Sequence, residues 1–317
     1  MKKCFLDKIF FYIWYFIWHF ICPIGRKNTK YKMKKSIIIS SILIVSSIIT
    51  LDSCKKKTEV DNESQSVVDN AICEQQFMSI QPVVSEKGIK ESGIKRTTAA
   101  LDSFLILGAL GNPTITPSAS DTIDADGNGE YDRGPVTFEL RYLPGFSGND
   151  GIPRTGSLKI TTAKKWHVLG HTLTVDLVNF VVNGSVTYSG QVKITRTSAL
   201  SVTCEVVNGH CTNGTWNIDY AGTKTLTQTG GQNTDFESDD VYEITGNSSG
   251  VNREGRAFTT NITNPLVKKS NCKYISSGSL DLTPDGFKTR TVDFGSGTCD
   301  DDATYTVNGQ TISFKLK

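Results

Sequence analysis

From residue 136 to the C-terminus, apolar residues recur at every second position. Leu173, Val175 and Leu177 alternate with Thr172, Thr174 and Asp176; Val186, Tyr188, Val192 and Ile194 share one face, and Ile312, Phe314 and Leu316 another. Successive side chains of a strand point to opposite sides of a sheet, so this period predicts half-buried strands. The turns agree. Val-Asn-Gly occurs at 182–184, 207–209 and 307–309, and Asn-Gly supplies the positive φ angles of a type I′ hairpin. The expectation is an all-β fold over residues 135–317: an antiparallel meander, as a hairpin-rich sheet or a sandwich. FVVNGSVTY (180–188) and YTVNGQTISF (305–314) are faintly similar, as two related hairpin units or as shared hairpin grammar.

Ahead of this region the period changes. Val67, Val68, Ala71, Ile72, Phe77 and Ile80 fall at helical spacing, which predicts a short N-terminal amphipathic helix whose stripe docks against the body. The stretch 64–134 is otherwise irregular: SFLILGAL (103–110) fits a buried strand or a helix, and its surroundings are rich in Pro, Ser, Asp and Gly. Residues 54–63 are polar and charged, a flexible tether with too little apolar surface to fold alone.

The N-terminus carries an address. Met33, Lys34 and Lys35 precede an apolar run of 13 residues, 37–49, and then Leu51-Asp52-Ser53-Cys54. A bilayer core needs about 20 apolar residues, so the run is too short to span and reads as a signal peptide over 33–53. The ending resembles a bacterial lipobox. That resemblance implies cleavage before Cys54 and acylation of its sulfur and amine, with palmitate-type chains that anchor the protein to the outer membrane. Residues 1–32 contain an aromatic run, 9–24, which is either a short membrane helix or upstream sequence read in frame before a start at Met33. The complete signal beginning at Met33 favours the second. Charge changes the picture too: nine of the 34 basic but two of the 32 acidic side chains precede Cys54, so the part from Cys54 on has 25 against 30, a net charge of −5 rather than +2. No basic stripe of the kind that grips nucleic acid remains there, so no nucleic-acid partner is expected.

Three C-terminal motifs carry a resemblance. Gly250, Asn252, Arg253, Gly255 and Phe258 fit G-x-N-R-x-G-x-x-[FY]; Cys272, Tyr274, Ile275, Ser277 and Gly278 fit C-x-[WY]-I-x-S-G; Asp293, Phe294, Gly295, Gly297, Cys299, Asp300, Ala303 and Thr304 fit D-[FY]-G-x-G-x-C-D-x-x-A-T. In this order they resemble an uncharacterised family of Bacteroidota lipoproteins, over about residues 136–317. The resemblance implies an envelope lipoprotein and brings no activity. One departure lies upstream: those relatives carry a cysteine ahead of the R-x-G strand, and this chain has none between Cys73 and Cys204.

Chemistry-bearing residues are sparse. A chain outside the cytosol keeps disulfides; Cys272, which opens a strand, is expected to pair with Cys299 in the following turn region, and Cys204 with Cys211 across the 207–209 turn, which leaves Cys73 over. His167, His171 and His210 show no metal-ligand spacing, and His167 and His171, which flank the Leu169-Gly170 turn, read as loop residues. Gly246-Asn247-Ser248-Ser249-Gly250 matches G-x-S-x-G, yet a nucleophile elbow needs a following helix, so it reads as a polar turn. Asp239-Asp240 and Asp300 to Asp302 read as solvated turns. Asp124, Asp126, Asn128 and Asp132 fall at positions 1, 3, 5 and 9 of a calcium loop, with Gly129 at 6, but Pro135 stands where the bidentate Glu belongs; this makes weak Ca²⁺ binding the only cofactor expectation, beside that of an ordinary surface loop. The leading functional expectation is a membrane-anchored envelope lipoprotein with a non-catalytic binding or structural role, toward an envelope protein or a glycan. The alternative is a secreted hydrolase or glycan-binding protein, the latter to be recognised by exposed aromatics among Trp166, Trp216, Tyr188 and Tyr220.

Overall fold

The computed structural model describes residues 61–84, the segments 104–105 and 114–115, and residues 123–317 other than 143–146, 148–149 and 166–167. Cys54, the signal and residues 1–32 lie outside these. Two helices come first, α1 (Gln65–Met78) and α2 (Ile80–Val84). Pro82 sits in the first turn of α2, where its missing N–H costs nothing. Of the SFLILGAL stretch, Phe104–Leu105 is strand β1 and pairs with β2 (Thr114–Ile115).

Twelve strands follow: β3 (Val136–Tyr142), β4 (Arg154–Thr162), β5 (Thr172–Val182), β6 (Val186–Arg196), β7 (Ser201–Thr212), β8 (Asn217–Gly230), β9 (Val241–Val251), β10 (Ala257–Lys269), β11 (Ile275–Pro284), β12 (Arg290–Ser296), β13 (Asp302–Val307) and β14 (Gln310–Lys315). They lie side by side in chain order in one antiparallel sheet. The expected meander is therefore present as a single continuous sheet, and α1 with it forms one unit over residues 61–317.

Two of the three Val-Asn-Gly tripeptides make hairpins. Asn183 and Gly184 between β5 and β6, and Asn308 and Gly309 between β13 and β14, all have positive φ, as a type I′ turn requires. The third is not a turn. Val207, Asn208 and Gly209 lie inside β7, where Asn208 has φ +51° and the register against β8 shifts between Val206 and Gly209. Positive φ at one residue also serves a β-bulge, and here the partner strand continues on both sides. Similar register shifts recur across the sheet. Several need glycine, among them Gly156, where a Cβ would meet the Asn179 carbonyl oxygen at 2.0 Å, and Gly190, where it would meet the Asn208 oxygen at 2.5 Å. Bulges bend and twist strands, and the bent sheet turns its apolar face around α1.

That face buries Val175, Val192, Val206, Ile218, Leu226, Ile244, Leu280 and Leu282 almost completely. Phe77 of α1 packs between two strand tyrosines, stacked on Tyr220 at 5.4 Å and edge-on to Tyr188 at 5.8 Å between ring centroids. The opposite face is polar. Cross-strand hydroxyl pairs, Thr137 with Thr161, Thr172 with Thr195 and Thr306 with Thr311, run over it in solvent, the kind of pair that stabilises neighbouring strands. Ile312 departs from the buried stripe expected of β14: it is 38% exposed, because β14 is the last strand and has a neighbour on one side only.

Candidate functional site

The expected helix exists, and it is enclosed rather than laid on a surface. Besides Val67, Ala71, Cys73 and Phe77, the polar residues Ser66, Asp69, Asn70, Glu74, Gln75 and Gln76 are also buried. A charge without a partner in such a place costs several kcal/mol. Strands and turns more than 130 residues away supply the partners.

Three clusters do this. At the centre, Glu74 and Lys224 are both fully buried with Oε1 and Nζ 3.0 Å apart. The other oxygen of Glu74 accepts from the Tyr220 hydroxyl at 2.8 Å, and burial together with that carboxylate pushes the phenol well above its ordinary range. One turn earlier Asp69 accepts from Arg253 Nε at 2.7 Å and, with its second oxygen, from the Arg253 backbone N–H at 2.8 Å. The Arg253 guanidinium lies 4.2 Å from the centroid of the Trp216 ring, a cation–π contact. At the helix start, Glu63 accepts the Ser66 N–H at 2.8 Å and so caps α1. Buried Arg290 donates Nε to the Glu63 carbonyl at 2.8 Å and forms ion pairs with Asp61 and Glu63. Asn252 completes the hold, its Nδ2 donating to Ser66 Oγ at 3.0 Å. Asn252 and Arg253 belong to the first C-terminal motif, so that motif grips the N-terminal helix.

Two further buried cations lie off the helix. Arg154 holds Asp150 with two hydrogen bonds of 2.6 and 2.9 Å; burial alone would raise that carboxyl, and the guanidinium instead keeps it below the ordinary range. Lys268 donates to the carbonyls of Cys272 and Lys273 at 2.5 and 3.0 Å. Burial lowers it to about 8, with Arg154 adding to the effect and Asp150 opposing it.

The cysteines divide. Cys272 and Cys299 are disulfide-bonded, as the spacing suggested. Cys204 and Cys211 are not paired: both stand on β7, because the intervening Val-Asn-Gly is a bulge and never folds the strand back. Cys211 faces Cys73 of α1 instead, with the sulfurs 3.1 Å apart, and Cys204 is a separate buried thiol pushed up to about 12 by its burial.

Other expected sites resolve as follows. Gly246 to Gly250 is no turn but part of β9. Ser248 is buried there beside Glu74 and Thr260, with no strand-to-helix elbow. Asp240 is no solvated turn residue: it is buried and accepts from Gln228 Nε2 and the Tyr242 hydroxyl at 2.8 and 3.0 Å. His171 is buried with its Nε2 2.6 Å from Thr162 Oγ1, and burial, Lys164 and Arg196 lower its pKa. His210 pairs with Asp219 across strands at 2.8 Å in solvent. Tyr188 and Tyr220 are core residues and Trp216 lies under Arg253, while Trp166 and His167 fall outside the described residues.

The acidic loop does converge. Asp124, Asp126 and Asp132 each offer an oxygen, all within 4.8 Å of one another. Asp124 is already ion-paired to Lys165, whose hydrogen bond holds the carboxyl below its ordinary range. Asn128 turns its side chain inward, its Nδ2 donating to Asp126 at 2.8 Å and its Oδ1 accepting the Glu130 N–H at 2.7 Å.

On the polar face an open depression lies over β8 to β10, lined by Ala221, Thr223, Asn247, Ser249 and Thr259 with Glu205 at its side. Comparison of the chain with family models, with curated proteins and with solved structures finds no match.

Proposed function

We propose that this chain is a lipid-anchored lipoprotein of the outer membrane, related to the Bacteroidota lipoproteins its motifs resemble, which presents the polar face of its sheet to another envelope protein without catalysing a reaction. The observation that carries this reading is where the interior charges go. Lys224, Arg253 and Arg290 all bind the segment 61–78, the first part of the body after the lipidation motif. Six residues separate Cys54 from Asp61, and the seven steps between them, at about 3.5 Å each, reach at most about 25 Å. A body gripped by its own N-terminal helix, on so short a leash, suits a load-bearing or docking part held close to the membrane. A glycan platform is less well supported, since Tyr188 and Tyr220 are spent on packing Phe77 and the depression on the polar face is lined by hydroxyls and an amide rather than by rings.

Growth with an alkynyl fatty acid tests the anchor. Label should appear on the wild-type chain and vanish in Cys54→Ala, which should also leave the membrane fraction; persistent label in the variant sinks the assignment. Envelope crosslinking then tests the partner: one protein should be captured by wild type and lost in Thr223→Arg, a change confined to the exposed face.

A further inference from the structure

We propose that Cys73 and Cys211 form a second disulfide, which fixes α1 covalently to β7. Their sulfurs stand 3.1 Å apart between two fully buried residues that are 138 positions apart in sequence. A disulfide is about 2.05 Å long, so the atoms have about 1 Å to close. The approach is set by the packing on either side of Cys73. Phe77 is wedged between Tyr188 and Tyr220, and the Tyr188 hydroxyl lies 3.5 Å from the Ile72 carbonyl, which together fix the rotation of the helix. On the strand, the bulge at Asn208 returns Cys211 to the inner face, where it pairs with Ile218 of β8. Among the described residues no third His, Cys, Asp or Glu completes a metal site with these two sulfurs.

The reaction is thiol–disulfide exchange with a low-molecular-weight disulfide or with the disulfide of an envelope oxidoreductase. One thiolate attacks that disulfide, forms a mixed disulfide and expels a thiol; the second thiolate attacks the protein sulfur of the mixed disulfide and expels the other. One S–S bond is gained by the protein, one is lost by the oxidant, and the two thiol protons end on the two released thiols. Burial raises the Cys73 thiol well above its ordinary range, with Cys211 adding to the effect, and the thiolate is the reactive form. The exchange therefore takes place while the helix is docking, before the sheet has closed over it. The proposal rests on the extracytoplasmic location argued above, and Cys272–Cys299 provides an internal reference for that location.

The full chain is taken from its own envelopes, its thiols are trapped with N-ethylmaleimide in denaturant, and it is digested without reduction. Linked peptides 73–211 and 272–299 are expected, with Cys204 alone alkylated. Alkylated Cys73 and Cys211 beside an intact 272–299 link overturn the proposal. If 272–299 is reduced as well, the location has failed instead, and the same protein is reduced, unfolded and refolded in mixed glutathione: a 73–211 link there supports the proposal, and its absence overturns it. A second measurement covers packing. Cys73→Ala should lower the urea midpoint relative to wild type, and most of that difference should disappear when both are fully reduced. An undiminished difference means that Cys73 acts as a core side chain only.

Discussion

The helix Gln65–Met78 and the loop 124–132 both collect carboxylates, and they treat them in opposite ways. Asp69 and Glu74 are enclosed, and each meets a cation brought from a distant strand or turn. Asp126 and Asp132 are exposed, and they sit near each other and near Asp124 with one lysine among the three. The difference is one of dielectric. In the interior an unpaired charge costs several kcal/mol and needs a partner, whereas the high dielectric of water reduces the repulsion of like charges about 4 Å apart to about 1 kcal/mol, so they can share a loop.

The largest way to break this contrast is at its centre. Lys224→Met leaves Glu74 buried without its cation and should cost about 3–5 kcal/mol in urea unfolding. Adding Glu74→Gln should recover a large part of it, because a neutral amide can still accept from Tyr220. A loss below about 1 kcal/mol in the single variant would mean that the pair does not hold the helix.

Lys268 extends the test to pH. It is buried without a carboxylate in contact, and its folded pKa of about 8 lies below the unfolded value. Between about pH 8 and 10.4 the unfolded chain binds the proton more tightly, so this group makes stability rise with pH in that window. The size is about 3 kcal/mol at most, from 1.36 kcal/mol per pK unit. Tyr142 and Tyr242, whose burial raises their folded pKa values, act in the opposite direction above about pH 10. Urea midpoints from pH 7 to 9 should therefore climb in wild type and stay flat in Lys268→Met, while above about pH 9 the raised thiol of buried Cys204 lowers stability in both. Parallel curves would remove Lys268 as the source.

Most of the sheet was legible in the sequence because alternation has one physical meaning, a strand with two faces. Asn-Gly has more than one. It made hairpins at 183–184 and 308–309, but at 208–209 the same positive φ became a bulge inside β7, which only the continuing pairing with β8 decides. The wrong cysteine pair followed from that wrong turn. The helix was legible as a helix but its enclosure was not, since the partners of Asp69 and Glu74 come from more than 140 residues downstream. One signal was available. Ile218, Tyr220, Gly222, Lys224 and Leu226 occupy one face of β8, so Lys224 stands in an apolar register, as Lys268 does after Leu266 and Arg290 before Val292. A cation in core register asks for a buried partner, which is a carboxylate for Lys224 and Arg290 and a pair of backbone carbonyls for Lys268, and the predicted helix carried both Asp and Glu.

The smallest expected effects lie in the loop, and they sharpen the contrast from its other side. Lys165→Met removes a cation from Asp124 just as Lys224→Met removes one from Glu74, yet the lysine is more than a third exposed, and pairs of that kind contribute about 0–1 kcal/mol. Its unfolding midpoint should stay near that of wild type. Calcium separates the two readings of the loop. With Pro135 in place of the twelfth-position acid, the expected Kd is on the order of 10⁻⁴ to 10⁻³ M, and Ca²⁺ at ten times Kd would then add about 1.4 kcal/mol. The ion must compete with the Lys165 ammonium for Asp124, so the rise in Tm with calcium should be larger in Lys165→Met than in wild type and absent in Asp126→Ala. Three superimposable melting curves, with calcium and with chelator, would instead make the convergence of these acids the ordinary behaviour of a screened surface loop, and the pairing rule of the interior would have no functional counterpart outside it.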